Sequence, residues 1–249
     1  MKMKKTLIFL MMALPLMLTT ACKIDLNLSD AKKIEASENI VKNEYKQNAF
    51  TKVDVDVVAN VKFIQSAEDD YRVVLSCPDN YVDLFKFSVE GDELEVDFSK
   101  RNVNIDAAHV DITIYGPTLR KLENSGVASV EIDRLMTDEL TVDNSGVGKI
   151  YFSGLKVHRL DADCSGVGGM ELSGNADEAV YECSGVGGID AGNLKAKSVT
   201  AEVSGVGGIT CYASEKIDGE VSGVGSLKYG GNPSEKKLSR SGVGKISEL

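Results

Sequence analysis

Ser145-Gly146-Val147-Gly148 is one copy of a four-residue phrase that returns at regular intervals through the second half of this 249-residue chain. An imperfect copy, Ser125-Gly126-Val127-Ala128, precedes it. The later copies begin at Ser165, Ser184, Ser204, Ser222 and Ser241. Successive serines are 18 to 20 residues apart, and a period this steady predicts one supersecondary unit stacked on itself.

The residues on both sides of each serine alternate between apolar and polar types. An apolar side chain stands five residues after every serine, as at Ile150 and Ile189, and a mostly polar residue follows it. This period of two predicts strands with one buried face. The glycines lie between two such strands, where a tight turn or close packing needs a residue without a Cβ.

The length of the unit decides between repeat architectures. A unit of about 19 residues is too short for a propeller blade or for a pair of repeat helices. It fits one coil of a β-solenoid, in which each strand pairs in parallel with its equivalent about 4.8 Å away. The sequence therefore predicts an all-β protein, a single-stranded parallel β-helix with coils of about 19 to 20 residues.

The N-terminus carries a targeting signal. Three lysines precede an apolar run over residues 7–18, and small residues lead to Cys22, a pattern typical of a secretory signal in residues 1–21. A cysteine at this place resembles the lipobox of bacterial lipoproteins, although Thr19 stands where that motif prefers Leu. The resemblance implies that Cys22 is acylated; the alternative is plain secretion. Residues 22–48 are charged and weakly periodic, which predicts a tether or an N-terminal cap.

The charge of the chain limits its partners. The formal net charge is −10, and removing residues 1–21 takes away three lysines and no acids, which leaves −13. A surface this acidic argues against nucleic acid and against charge-driven docking on anionic lipid. No other segment is long and apolar enough to cross a bilayer, so membrane attachment would depend on the lipid at Cys22.

The solenoid is predicted to occupy residues 49–249. Within it, residues 49–122 alternate like strands but lack the repeated phrase, and they carry most of the aromatic side chains. We expect less regular, wider coils there and regular coils in residues 123–249, because irregularity at an end coil hides its open edge. Asp79-Asn80 is expected to begin one helical turn.

A lipoprotein signal, a strand-rich lead-in and Ser-Gly-x-Gly-x-(Ile/Val/Leu) repeated about every 20 residues resemble the head GIN domain family of auto-transporter adhesins. The resemblance covers residues 49–249. It implies a right-handed parallel β-helix on the envelope of a Bacteroides-type bacterium, with a role in adhesion. Fold alone does not define function.

Acidic residues recur two positions before the serines. This acid row comprises Glu123, Asp143, Asp163, Glu182, Glu202 and Glu220. In stacked coils they would form an outward row, which is either a cation-binding stripe or a solvated face. Neighbouring charges at that spacing repel by roughly 0.9 kcal/mol in water. Burying one core side chain contributes about 1.5 to 3 kcal/mol, so the solvated face is the favoured interpretation and no metal is required.

The position just before the serine is expected to point inward. It holds Asn124, Asn144, Cys164, Cys183, Val203 and Val221. Stacked asparagines can bond along the ladder, and cysteines serve as small apolar fillers. Cys164 and Cys183 would be close enough for a disulfide, which export permits. We favour buried free thiols, because ordinary core residues fill the neighbouring positions.

Catalytic residues are not evident in the sequence. Neither histidine, His109 or His158, has cysteines or carboxylates at metal-ligand spacing. The repeated phrase lacks the helix and the His-Asp pair of a nucleophile elbow. No cofactor is implied.

The sequence predicts a non-enzymatic lipoprotein whose rigid acidic β-helix binds a protein or a glycan. It would be anchored to the outer membrane, on its periplasmic or its outer face. One alternative is a structural element that associates with itself through the strand edge after Ser241. A polysaccharide-active enzyme is the other.

Overall fold

The computed structural model describes residues 33–249, so the predicted signal peptide and Cys22 lie outside the described residues. In the described chain, seventeen strands form one sheet that winds into a β-solenoid of about six turns. This confirms the predicted fold class. None of the helices within residues 33–249 has the length and apolar character that a membrane span requires.

The strands of the irregular part are β1 (Ile40–Lys46), β2 (Lys52–Asp56), β3 (Val58–Gln65), β4 (Arg72–Pro78), β5 (Phe85–Glu90), β6 (Glu93–Phe98) and β7 (Asp111–Gly116). Short 3₁₀ helices span Asp79–Leu84 and Ala107–His109, and the first confirms the predicted helical turn. The repeated part contains β8 (Lys121–Asn124), β9 (Val127–Ile132), β10 (Leu135–Asn144), β11 (Val147–Cys164), β12 (Val167–Cys183), β13 (Val186–Val203), β14 (Val206–Val221), β15 (Val224–Gly230), β16 (Glu235–Arg240) and β17 (Lys245–Glu248).

Equivalent residues of successive coils lie directly above one another. Val147 pairs with both Val127 and Val167, and the parallel register continues through β13, β14 and β15. The repeated phrase is therefore a set of columns in space.

The column before the serines is buried, as predicted. The amide Nδ2 of Asn124 donates to Oδ1 of Asn144 at 2.9 Å, which makes one step of a ladder. Above them, Cys164, Cys183, Val203 and Val221 are at most 1% exposed. The apolar residues therefore continue the core from the point where the asparagine ladder ends.

The four described cysteines are buried free thiols. Burial raises the pKa of Cys77 to about 11 and the pKa of Cys211 to about 12. A hydrogen bond with Cys183, together with burial, raises the pKa of Cys164. These three thiols therefore stay protonated at neutral pH, as packing residues do.

Glycine is required at the corner by the spacing of the coils. A Cβ on Gly166 would lie inside contact distance of the carbonyl oxygen of Gly146, and the same clash repeats one coil further at Gly185. The corner amides of Ser165 and Gly166 donate to the carbonyl of Asn144 at 3.2 and 3.0 Å. Because no side chain separates them, the corners of adjacent coils approach closely and form backbone hydrogen bonds with each other.

The irregular coils join the same stack, but not in chain order. The β2–β3 coil pairs in parallel with β6 and β7 on one side and with β8 and β9 on the other. Antiparallel pairs, β1 with β4, β4 with β7 and β5 with β6, complete this end. Alternation in residues 49–122 indicated strands, but it contains no information about this insertion.

The chain from Lys33 to β1 covers the N-terminal end of the solenoid. The amide of Ile34 donates to the carbonyl of Asn104 at 2.9 Å, and the hydroxyl of the buried Tyr81 donates to the carbonyl of Ile34 at 2.7 Å. The assignment of residues 22–48 to a tether or a cap stays a prediction. One hydrophobic core runs from this end to Ile246.

Replacing Gly166 with alanine is expected to lower the free energy of unfolding by at least about 2 kcal/mol, because the new Cβ forces adjacent coils apart. The matched control is Gly192→Ala, whose Cβ would meet its nearest atom at 3.3 Å, and it should change stability little. Urea denaturation followed by circular dichroism measures both. Equal stability of the two variants would contradict a steric requirement at the corner.

Candidate functional site

A row of half-exposed valines follows the corner of the repeated coils. We call it the valine strip: Val127, Val147, Val167, Val186, Val206 and Val224. Their exposed fractions lie between 47% and 58%, whereas most other large apolar residues of these coils are buried. The strip is therefore a continuous apolar line on the surface with one valine per coil, about 4.8 Å apart.

The outward direction of these valines follows from strand parity. The residue before each serine and the residue five after it are both buried, as Cys164 and Met170 show. Successive side chains of a strand point to opposite sides. Counting from the buried Cys164, Gly166 and Gly168 therefore face inward and Val167, between them, faces outward. The inward column was predicted from this parity, but the exposed valines, which follow from it equally, were not.

Glycine-floored troughs border the strip on both sides. On the serine side, a groove of about 1270 Å³ runs along the corners as far as Val206, and the loop over residues 97–103 stands at its N-terminal end. On the other side, a smaller trough of about 360 Å³ has Gly169, Gly188 and Gly208 on its floor. The valines consequently stand above backbone that carries no side chains.

The acid row lies in register, as predicted, on the strand that leads into the corner. Each of its members pairs with the next, and the row continues into the irregular coils through Asp54 and Glu95. This continuation was not predicted, because no serine phrase marks those strands. Like charges therefore stack along eight neighbouring strands.

Only the N-terminal part of the acid row has a cation within ion-pair distance. Lys121 Nζ lies 2.6 Å from Glu123 Oε2 and 3.8 Å from Asp143 Oδ2. Within residues 33–249, the other members of the predicted row have no ion-pair partner: Asp163, Glu182, Glu202 and Glu220. No cluster of three or more His, Cys, Asp or Glu in this part of the chain could hold a metal ion. The cation-binding interpretation stays a prediction.

Basic residues of the same coils pair with acids that are not members of the row, including Asp161, two residues before Asp163 on the outward side of β11. Asp177 accepts an ion pair from Lys197 at 2.6 Å, and Arg159 lies 3.3 Å from Glu178 and 3.0 Å from Asp161. Opposite charges thus alternate between adjacent coils at that face. These acids are paired, whereas the C-terminal part of the acid row is a line of negative charge without ion-pair partners among the described residues.

Carboxylates also lie on the far side of the smaller trough. Glu171 and Asp190 are exposed, stand in register, and have no ion-pair partner among the described residues. Lys149 and Lys228 line the two ends of the trough. Glu171 and Asp190 therefore place negative charge on one side of the middle of the valine strip, and the acid row lies on the other side, beyond the corner serines.

Burial makes one member of the extended acid row hard to ionise. Loss of hydration and the neighbouring charge of Glu123 raise the pKa of Asp54 to about 6. Burial also raises the pKa of Asp143, although Lys121 opposes the shift. Asp54 has no such cation, so its carboxylate destabilises the fold at neutral pH.

His158 has an acidic partner at the equivalent position of the next coil, seven residues before a repeated serine in both cases. Its Nδ1 lies 2.8 Å from Oδ2 of Asp177, nineteen residues away, and this hydrogen bond raises the pKa of the imidazole. The His158 side chain is 65% exposed, on an open surface. The pair is explained as part of the charged face described above.

The fold and the valine strip define the class of protein: a parallel β-solenoid with a straight line of exposed apolar side chains along its surface. Residues 49–233 match the family described as "putative auto-transporter adhesin, head GIN domain", and the chain belongs to this family. Comparison with curated proteins finds no match.

Solved structures are similar over nearly the whole described chain. A putative adhesin from Bacteroides fragilis is 38% identical with a TM-score of 0.84, and the similarity covers 87% of this chain and 100% of that one. A putative lipid binding protein from Parabacteroides distasonis (20% identity, TM-score 0.73) and a putative adhesin from Parabacteroides merdae (19%, 0.69) share the fold. Each of these covers 88% of this chain and is itself covered completely.

Replacing Asp54 with asparagine is expected to stabilise the protein at pH 7.5 by about 1 kcal/mol, allowing for partial exposure. Because the folded-state pKa is raised, the folded protein binds a proton that the unfolded chain does not bind between about pH 6 and pH 4. The wild type should gain stability as the pH falls through this window, so the advantage of D54N should disappear near pH 4.

Urea denaturation at both pH values measures the difference. The control is Asp56→Asn, which removes an exposed carboxylate from the same strand. An equal effect of D56N, or an advantage of D54N that is independent of pH, would contradict the assignment.

Proposed function

We propose that this protein is a non-enzymatic adhesin of the bacterial cell envelope that binds a protein or a glycan through the valine strip. The observation that carries the proposal is the unbroken line of half-exposed valines in register across six coils. Exposed apolar patches on soluble domains commonly mark interaction sites. Membership of an adhesin family and the adhesin relatives support the same function.

The scaffold suits a binding surface. Each strand of the repeated coils is hydrogen-bonded to its neighbours, and the corners are fixed by backbone pairs such as Val167 N to Gly146 O at 3.0 Å. A surface held by a continuous ladder loses little conformational entropy when a partner binds. Rigidity therefore favours recognition by shape over recognition by rearrangement.

The lipid anchor at Cys22 is part of the proposal. Lys33 lies at the N-terminal end of the solenoid, beside the loop over residues 97–103 that borders the groove. The eleven residues from Cys22 to Lys32 can span no more than about 40 Å. An acylated Cys22 would hold this end near the outer membrane and direct the valine strip away from it.

Self-association is the second candidate function. Among the described residues β16 pairs only with β14 and β17 only with β15, so both have an open edge. These two strands carry Lys236, Lys237, Arg240 and Lys245, and charged residues on edge strands oppose pairing with another copy. Binding through the valine strip is therefore the better supported proposal.

Replacing Val167, Val186 and Val206 with serine is expected to abolish strip-dependent binding, because it removes the apolar contacts while leaving the buried core unchanged. Glycan arrays and capture of purified envelope proteins measure binding. The control is Met136→Ser, a change at an exposed apolar residue outside the strip. Binding that survives the triple change would exclude the strip as the site.

Replacing Cys22 with serine is expected to prevent acylation and to release the protein into the soluble fraction. Metabolic labelling with a radioactive fatty acid, followed by membrane fractionation, measures both effects. The control is Cys77→Ser, which removes a buried thiol of the core. Label that remains on the Cys22 variant would contradict the anchor.

A further inference from the structure

We propose that the middle of the valine strip binds a cationic amphipathic segment of a polypeptide. This inference rests on the proposed binding function and names the class of partner. The site comprises Val167, Val186 and Val206, the glycine trough beside them, and the carboxylates on both flanks. It needs a ligand with an apolar stripe bordered by lysine or arginine.

The apolar part of the site fits a helix lying along the solenoid axis. Val167, Val186 and Val206 pair in register, so they repeat about every 4.8 Å. One turn of an α-helix rises about 5.4 Å, which brings one apolar side chain per turn against each coil. The glycines at 169, 188 and 208 leave room on the trough floor for those side chains.

The charges beside the site select the sign of the partner. Asp163, Glu182 and Glu202 lie on the serine side, and Glu171 and Asp190 lie across the trough. None of them has an ion-pair partner among residues 33–249. Lysine and arginine have long apolar stems, so they can cover the glycine floor while their charged ends reach these carboxylates.

The same charges disfavour other occupants. A second copy of this chain has a net charge of −10 and would bring the same carboxylates against these. Anionic polysaccharides and anionic lipid head groups are repelled for the same reason. A neutral glycan would leave the carboxylates without counter-charges.

The cations near the strip define its limits. Lys149 and Lys228 stand at the ends of the trough, and Lys100 and Arg101 border the groove near its N-terminal end. Between these positions the valines are flanked only by carboxylates, hydroxyls and glycine. The site is therefore three coils long, about two turns of a bound helix.

The experiment measures binding of a fluorescein-labelled twelve-residue peptide, with leucines on one helical face and lysines on the others, by fluorescence anisotropy. The protein is the chain from Lys23, which includes every residue of the hydrophobic core. A matched peptide has glutamate in place of every lysine. We expect binding of the lysine peptide to weaken as salt is added, and no binding of the glutamate peptide.

Matched variants locate the contact. Glu182→Gln with Glu202→Gln, and separately the triple valine-to-serine change, should each weaken binding about tenfold. Glu139→Gln with Glu215→Gln removes the same charge from exposed positions outside the site and should leave affinity unchanged. Circular dichroism verifies that each variant is folded.

Several results would overturn the inference. These are equal binding of the two peptides, equal weakening by the control pair, no effect of the valine changes, or a dimer in sedimentation that the valine changes dissociate. If the lysine peptide fails while strip-dependent capture of another partner persists, this inference is wrong and the proposed binding function stands. If the valine changes affect no partner at all, both are wrong.

Discussion

The close approach of the Ser-Gly corners in adjacent coils is the constraint on which the structure depends. The carbonyl of Asn144 accepts from the amides of Ser165 and Gly166, and the same pattern repeats at the corners above and below. Only glycine fits, because a Cβ at Gly166 would overlap the backbone of the previous coil. With the corners fixed in this way, each side chain is held above its equivalent, and the buried column, the acid row and the valine strip follow from the repeat.

Stacking in register amplifies whatever residue the repeat contains. A valine that is half exposed in one coil becomes an apolar line, and a single carboxylate becomes a row of like charges. The chain reduces the electrostatic cost where Lys121 bridges Glu123 and Asp143, and outside the row it alternates signs between Arg159 and Glu178. Beside Val186 and Val206 the acid row has neither a bridging lysine nor an alternation of signs. The unneutralised charge and the exposed valines therefore occur in the same coils.

Sequence periodicity was sufficient to predict the architecture but only part of the site. Strict spacing fixed the coil, the inward column at Asn124 and Cys164, and the outward acid row. The parity that placed Cys164 inside also places Val167 outside, so the strip was predictable although we did not predict it. The pairing of His158 with Asp177 also follows from the repeat, although we did not predict it, whereas the extension of the acid row to Asp54 depends on which strands are neighbours. The irregular coils contain no repeated phrase from which neighbours could be aligned.

The insertion of the β2–β3 coil between β6–β7 and β8–β9 has a consequence for how the chain becomes ordered. β12 pairs with strands about twenty residues away in the sequence on either side. Val58 pairs with Val127, which is almost seventy residues later. Closing the longer loop costs more chain entropy before any contact compensates for it. Assembly therefore favours a start within the C-terminal repeats, with the N-terminal end completed afterwards, so an exported chain would emerge with its slowest-forming part first.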